Sequence, residues 1–111
     1  MKKLFLPVLA LVMTWACTSD TIEPFADDDD CSEVDVSLSS DIVPIIEQNC
    51  ATSGCHLDRQ SPLLNTSEAI IQNAARVRAR SVAGTMPPSG PLAGDLVSQI
   101  NCWVENGAQD N

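Results

Sequence analysis

Two thiols and an imidazole stand within seven residues of each other, and the imidazole belongs to the single histidine of the 111-residue chain. The stretch reads Cys50-Ala51-Thr52-Ser53-Gly54-Cys55-His56. A cysteine pair followed at once by histidine is the arrangement for covalent haem attachment, in which the thiols form thioethers and the imidazole ligates the iron. The common spacing leaves two residues between the cysteines, whereas four stand here. The motif predicts thioethers at Cys50 and Cys55 and a proximal ligand at His56.

A candidate for the second axial ligand lies downstream, at Met86. It is the only methionine after Met13, and its loop reads Gly84-Thr85-Met86-Pro87-Pro88-Ser89-Gly90-Pro91. Haem electron carriers commonly place a methionine sulfur on the distal face, where it raises the potential. The alternative is a methionine that fills a gap in the core. With both axial positions taken, no open position would remain for a substrate, so the pattern favours a carrier over an enzyme.

Helices are predicted to position these residues, and no convincing pair of strands is found, so the expected fold class is all-α. The first helix covers about residues 41–49, with Ser39 or Ser40 as its cap and Pro44 in its first turn. It leads directly into the cysteine motif. One of its faces carries four residues: Ile42, Ile45, Ile46 and Asn49.

Two further helices are expected after the motif, which makes three main helices in all. The second runs from about 67 to 81, with a cap at Thr66 or Ser67, and the third from about 94 to 106, with Gly107 as its stop. The apolar faces of the two helices consist of Ile70, Ala74 and Val77, and of Leu96, Ile100 and Trp103.

The first 16 residues have the pattern of a secretory signal peptide. Two lysines precede the apolar stretch 4–13, which is too short for a bilayer span of about 20 residues, and Ala16 offers a small residue for cleavage. Cys17 follows directly and resembles the lipidated cysteine of bacterial lipoproteins, although Thr14 and Trp15 depart from that pattern. The alternative is ordinary cleavage near Ala16. Lipidation would anchor the exported chain to a bacterial membrane, facing the periplasm or the cell surface.

Residues 17–30 are expected to form the lipidated N-terminus and a solvated acidic linker that ends in four aspartates, 27–30. The whole chain has 15 acidic and 6 basic side chains, a net charge of -9. Cleavage after residue 16 would leave four arginines against all fifteen acids, a net charge of -11. This balance argues against a nucleic-acid binder. It suggests a redox partner with a basic patch, or docking that does not rely on charge.

Several short stretches of residues 31–111 together resemble the small class I cytochromes c, and more closely the bacterial lipoprotein cytochromes c with four residues between the haem-binding cysteines. In order, they are Pro44-Ile45-Ile46-Glu47-Gln48-Asn49-Cys50, Cys55-His56, Gly84-Thr85-Met86-Pro87-Pro88, Leu92 and Ile100-Asn101-Cys102-Trp103-Val104-Glu105-Asn106-Gly107-Ala108. The resemblance implies one covalent haem c, thioethers at Cys50 and Cys55, and His56 and Met86 as the axial ligands. It also implies crossing first and last helices, with Ile42 and Ile46 against Leu96, Ile100 and Trp103.

Two cysteines remain after these assignments, Cys31 and Cys102. In an oxidising compartment the simplest account is a disulfide between them, and the alternative is a pair of free buried thiols. Two other functions stay open. One is a structural zinc module that uses Cys50, Cys55, His56 and either Cys102 or Cys31. The other is a disulfide-stapled interaction module without haem.

Overall fold

A computed structural model describes residues 30–111, and this part of the chain is built from helices and turns without a β-strand. The α-helices are α1 (Val43–Asn49), α2 (Ser67–Gln72), α3 (Ala74–Val82) and α4 (Gly94–Glu105). A 3-10 turn, Cys31–Glu33, and a π-helical turn, Leu38–Ile42, precede α1. The predicted all-α class is therefore confirmed for these residues, with four helices instead of three. The predicted signal peptide, Cys17 and the predicted linker up to residue 29 lie outside the described residues.

The π-helical turn runs without a break into α1, which begins two residues later than expected and carries Pro44 in its first turn. The cap is Ser37 and not Ser39 or Ser40, because the Ser37 hydroxyl accepts the N–H of Ser40 at 3.2 Å. Asn111 supplies two more acceptors. Its side-chain oxygen takes the N–H of Leu38 at 2.8 Å, and its backbone oxygen takes that of Ser39 at 3.0 Å. The start of this helical segment is thus held by a residue far along the chain.

The single helix expected over residues 67–81 is two helices, and Asn73 separates them. Its φ and ψ of -106° and 11° leave the helical region, and its side-chain amide donates to the carbonyl of Ala69 at 2.8 Å. Asparagine side chains compete in this way with the backbone ladder of a helix. The cap at Thr66 is confirmed, since its hydroxyl accepts the N–H of Ala69 at 3.1 Å. The predicted apolar face is buried throughout: Ile70, Ala74 and Val77.

Helix α4 forms the centre of the core and ends one residue before the predicted position, at Glu105. Gly107, with φ of 101°, adopts a left-handed conformation that glycine tolerates better than other residues, and it stops the helix as expected. Ile100 and Trp103 are fully buried, as predicted. Leu96 is only partly buried, and Val97 takes the core position instead. One continuous core joins α4 to α3 and to the π-helical turn, which contributes Ile42.

A disulfide ties the start of the described chain to this central helix. Cys31 and Cys102 are both buried, their sulfurs are bonded at 2.05 Å, and their Cα atoms lie 5.1 Å apart. The pairing expected from the sequence is therefore present in the structure. The side-chain amide of Asn106 reinforces it by donating to the carbonyls of Cys31 and Val34, each at 3.1 Å.

Candidate functional site

The cysteine motif forms a folded loop at the end of α1. The N–H of Cys50 still donates to Ile46 of α1, at 2.8 Å. The loop then returns on itself, because the N–H of His56 donates to the carbonyl of Cys50 at 3.2 Å and that of Cys55 to Thr52 at 2.9 Å. The extra residues between the cysteines are therefore taken up in a turn. Cys50 and His56 lie next to each other across the base of this turn.

Gly54 and Asp58 fix the shape of the turn. Gly54 has φ of 81°, a left-handed conformation that other residues adopt only with strain. Its N–H donates to the carboxylate of Asp58 at 2.8 Å. A residue with a side chain at position 54 would strain the loop that contains Cys50, Cys55 and His56.

Cys50 and Cys55 are both half-buried free thiols, unlike the bonded pair Cys31 and Cys102. Burial raises the pKa of the Cys50 thiol above its usual value, and the negative charge that Cys55 carries when ionised raises it further. Both causes disfavour the thiolate form of Cys50. Cys50 therefore stays protonated at neutral pH, which protects it from the reactions of a thiolate.

The imidazole of His56 is half-buried, and one of its nitrogens is committed to the backbone. Nδ1 lies 2.7 Å from the carbonyl oxygen of Pro62 and 3.2 Å from that of Gln60. Carbonyl oxygens can only accept, so Nδ1 carries a hydrogen, and in the neutral imidazole Nε2 then carries the lone pair. Nε2 has no hydrogen-bond partner among residues 30–111. A histidine held in this way presents Nε2 to a metal in one fixed orientation.

Met86 lies on a different loop, directly after α3. The carbonyl of Arg80 in the last turn of α3 accepts the N–H of Thr85 at 3.1 Å and that of Met86 at 3.4 Å. These hydrogen bonds thus fix the start of the methionine loop to the end of α3. The Met86 side chain is 36% exposed, so it does not fill the core, which was the alternative interpretation of its role. No hydrogen bond joins it to the cysteine motif in the part of the chain that the structure describes.

Exposed apolar side chains accompany both candidate ligands. Five large apolar residues are exposed in residues 30–111, and four of them belong to the two segments 57–63 and 82–86: Leu57, Leu63, Val82 and Met86. Single exposed apolar residues are normal, but their concentration beside His56 and around Met86 needs an explanation. Leu57, Leu63 and Val82 were not among the site residues predicted from the sequence, although leucines in a polar loop were a visible signal. Two free thiols, an available Nε2, a thioether and this apolar surface fit the donor set and the surroundings of a haem.

The structure leaves the zinc hypothesis without its fourth ligand. Both candidates for that position, Cys31 and Cys102, are bonded to each other. Among the described residues, no three histidine, cysteine, aspartate or glutamate side chains come together in a way that could hold a metal ion. A thioether-linked haem makes a different demand, since its cysteines bind the porphyrin and need not converge on the iron.

An open cavity of about 410 Å³ lies away from the motif, between residues 32–36 and the end of the chain. Trp103 and Asn106 form part of its wall. The indole N–H of Trp103 donates to the Gln109 carbonyl, and the side-chain NH₂ of Asn106 donates to the Cys31 carbonyl, each at 3.1 Å. No chemistry-bearing residue of the motif lines it. We therefore assign the functional site to the motif and not to this cavity.

None of the helices in residues 30–111 is both long and apolar enough to cross a membrane. No family model, no curated protein and no solved structure matches the chain. The function therefore has to be inferred from the site itself.

Proposed function

We propose that the chain is an exported c-type cytochrome of the small class I type, which carries single electrons. The observation that carries the proposal is the state of His56. Its Nδ1 is occupied by the Pro62 carbonyl at 2.7 Å, and its Nε2 is left for a metal. This histidine directly follows one of two free, half-buried thiols in a loop that also places Cys50 against it.

Each residue of the site has a separate role in this proposal. Cys50 and Cys55 would hold the haem covalently through thioethers. His56 would ligate the iron, and its bond to Pro62 keeps the imidazole in one tautomer and one orientation. Met86 would supply the distal sulfur, from a loop that Arg80 fixes to the end of α3. Leu57, Leu63 and Val82 would exclude water from the porphyrin edges.

A haem bound there would supply a one-electron couple between ferric and ferrous iron. The chain's own contribution is to bind it, to fill both axial positions and to keep water away. With two protein ligands, no position is left for a substrate, which is why we propose a carrier and not an enzyme. Trp103 is the only aromatic residue after residue 30. A haem would therefore supply apolar volume that aromatic side chains provide in other small domains.

The decisive experiment is expression of the full chain in the periplasm together with a haem-attachment system. We expect sharp ferrous absorption bands, and haem that stays on the protein after denaturation and acid-acetone extraction. Cys50→Ser with Cys55→Ser should abolish the attached haem. The matched control is Cys31→Ala with Cys102→Ala, which also removes two cysteines and should retain it. A wild-type chain without covalent haem would refute the proposal and leave the disulfide-stapled interaction module.

Met86 is tested by the weak red charge-transfer band that an iron–sulfur bond gives to ferric haem. Met86→Ala should abolish the band and lower the potential, because the thioether favours ferrous iron. Val34→Ala is the control, since it truncates an exposed apolar side chain outside the segments 57–63 and 82–86. A band that survives in Met86→Ala would show that another residue is the distal ligand.

Export and anchoring are proposed on the sequence alone, with residues 1–16 as the signal peptide and Cys17 as the lipidated residue. Cys17→Ser should move the mature protein from the membrane fraction to the soluble periplasmic fraction and abolish incorporation of labelled palmitate. Membrane association that survives this change would refute the lipid anchor but leave the haem site untouched.

A further inference from the structure

The charge of α3 is opposite to the charge of the rest of the domain. Its sequence, Ala74–Val82, contains three arginines and no acid, whereas residues 30–111 contain ten acids and only one other basic residue, Arg59. The described part of the chain has a net charge of -6, with four arginines against these ten acids. Most of the positive charge of an acidic domain is therefore concentrated on one short helix.

The way α3 packs divides its side chains into an inner and an outer surface. Ala74, Val77 and Ser81 are buried against the core. The opposite surface consists of small exposed residues and two exposed arginines, and we call it the arginine face: Ala75, Arg76, Ala79, Arg80 and Ala83. Residues four apart along a helix share a surface, so Arg76 and Arg80 lie side by side.

The arginines of this face are not neutralised by the domain itself. The only ion pair of residues 30–111 joins Arg78, on the other flank of the helix, to Glu105 at 3.8 Å. Within the described part of the chain, neither Arg76 nor Arg80 has an acidic partner within 4 Å. The alanines of the arginine face, Ala75, Ala79 and Ala83, are small and exposed. They leave room for another polypeptide to approach Arg76 and Arg80 closely. Arginine is also the charged residue most often found as an anchor of protein interfaces.

The arginine face ends at the methionine loop. The Arg80 carbonyl holds the N–H groups of Thr85 and Met86, so a molecule bound on the face would stand beside Met86. The neighbouring Val82 is 38% exposed and adds apolar surface at this end. An apolar edge next to unpaired charges is the usual composition of a protein docking site, with charges that guide encounter and apolar atoms that hold contact.

We propose that the arginine face is a docking surface for a local acidic patch on a partner protein. Charge complementarity identifies this occupant. A surface that is negative throughout, such as an anionic bilayer or a nucleic acid, would also meet the acids elsewhere on the domain. At physiological salt, charges act over about 8 Å, so a protein with a confined acidic patch would interact with the arginines alone. The inference depends only on charge and exposure, and it does not require the haem.

A short oligo-L-glutamate peptide serves as the probe, because its acidic stretch is confined like that of the proposed partner patch. The labelled full chain is observed by amide chemical shifts. We expect the shifts to centre on residues 75–83. Arg76→Gln and Arg80→Gln should each weaken binding about two- to fivefold, the range for exposed charge pairs, and salt should weaken it further. Arg59→Gln is the matched control, because it removes one exposed positive charge outside α3, and it should leave the affinity unchanged.

A second variant tests the surface without removing an arginine. Ala79→Glu introduces an acid between Arg76 and Arg80 and should abolish probe binding while the helical circular dichroism stays constant. Shifts centred elsewhere, or an equal loss in Arg59→Gln, would overturn the proposal. Binding to vesicles of phosphatidylcholine and phosphatidylglycerol that depends on Arg76 and Arg80 would also overturn it, in favour of a membrane surface. Because the absorption spectrum decides the haem proposal separately, either proposal can fail without the other.

Discussion

Breaking the disulfide between Cys31 and Cys102 should remove a large part of the stability of the domain. The bridge joins residues 71 apart in the sequence. Closing a loop of that length lowers the entropy of the unfolded chain enough to stabilise the folded state by about 4 kcal/mol. The hydrogen bonds from the side-chain amide of Asn106 to Cys31 and Val34 are present in the folded oxidised and the folded reduced protein, and both lose them on unfolding. They therefore do not change the difference in stability between the two forms. Small domains unfold at a cost of about 5–15 kcal/mol, so the reduced protein should be folded but marginal.

The assay is denaturant unfolding followed by helical circular dichroism, with and without a thiol reductant. Thioethers are not reduced under these conditions, so an attached haem would stay in place. The reductant should lower the unfolding midpoint of the wild-type protein. The control is Cys31→Ala with Cys102→Ala, which should start near the reduced wild-type value and show no response to the reductant.

Two results would contradict the proposed stabilising effect of the disulfide between Cys31 and Cys102. A reduced wild-type protein within about 1 kcal/mol of the oxidised one would show that loop entropy does not dominate the effect of the bridge. A response to reductant in the variant without Cys31 and Cys102 would show that the stabilising disulfide involves other cysteines.

Four further changes test separate parts of the structure. In the reduced, haem-free chain, alkylation of Cys50 should have a more alkaline midpoint in buffer than in urea, because burial raises the pKa of the Cys50 thiol. Cys55→Ser should lower that midpoint only in part, since Cys55 is the smaller cause; equal midpoints in buffer and urea would contradict the assignment. Trp103→Ala should lower the free energy of unfolding by about 3–5 kcal/mol, because Trp103 is only 1% exposed. Thr66→Ala should cost about 1 kcal/mol through the lost cap of α2, while Thr66→Ser keeps the hydroxyl and should cost less. Asn111→Ala should cost about 1 kcal/mol, because the N–H of Leu38 loses its acceptor; an unchanged denaturation midpoint would contradict that role.

Features set by neighbouring residues were predictable from the sequence. The end of α4 was predicted to within one residue, because Gly107 acts on the chain next to it. The cap at Thr66 and the proline in the first turn of α1 are local signals of the same kind. The cysteine motif is also visible in the sequence, and its function as a haem site stays a prediction.

Features set by distant residues were not predictable. Ser37 rather than Ser39 begins the first helical segment because Asn111 supplies acceptors from the other end of the domain. The helix breaks at Asn73, where the side-chain amide bonds to the backbone in competition with the hydrogen bonds of the helix. The spacing of apolar residues does not indicate whether such a bond will form. The same limit applies to the candidate site. The bond from His56 to the Pro62 carbonyl depends on the three-dimensional course of the loop, which composition does not determine.

The position of Asn111 on the first helical segment has a consequence for how the domain can be joined to other proteins. The chain returns to within hydrogen-bond distance of Ser37 and Ser39, shortly after it enters the described fold at Asp30. Domains whose two ends meet can be inserted into a host loop or circularly permuted with little disturbance of their core. A linker between Asn111 and the segment before Ser37 would therefore have a short distance to span. New termini could then be placed at the exposed residues Pro88 and Ser89, which lie outside the cysteine motif and the disulfide.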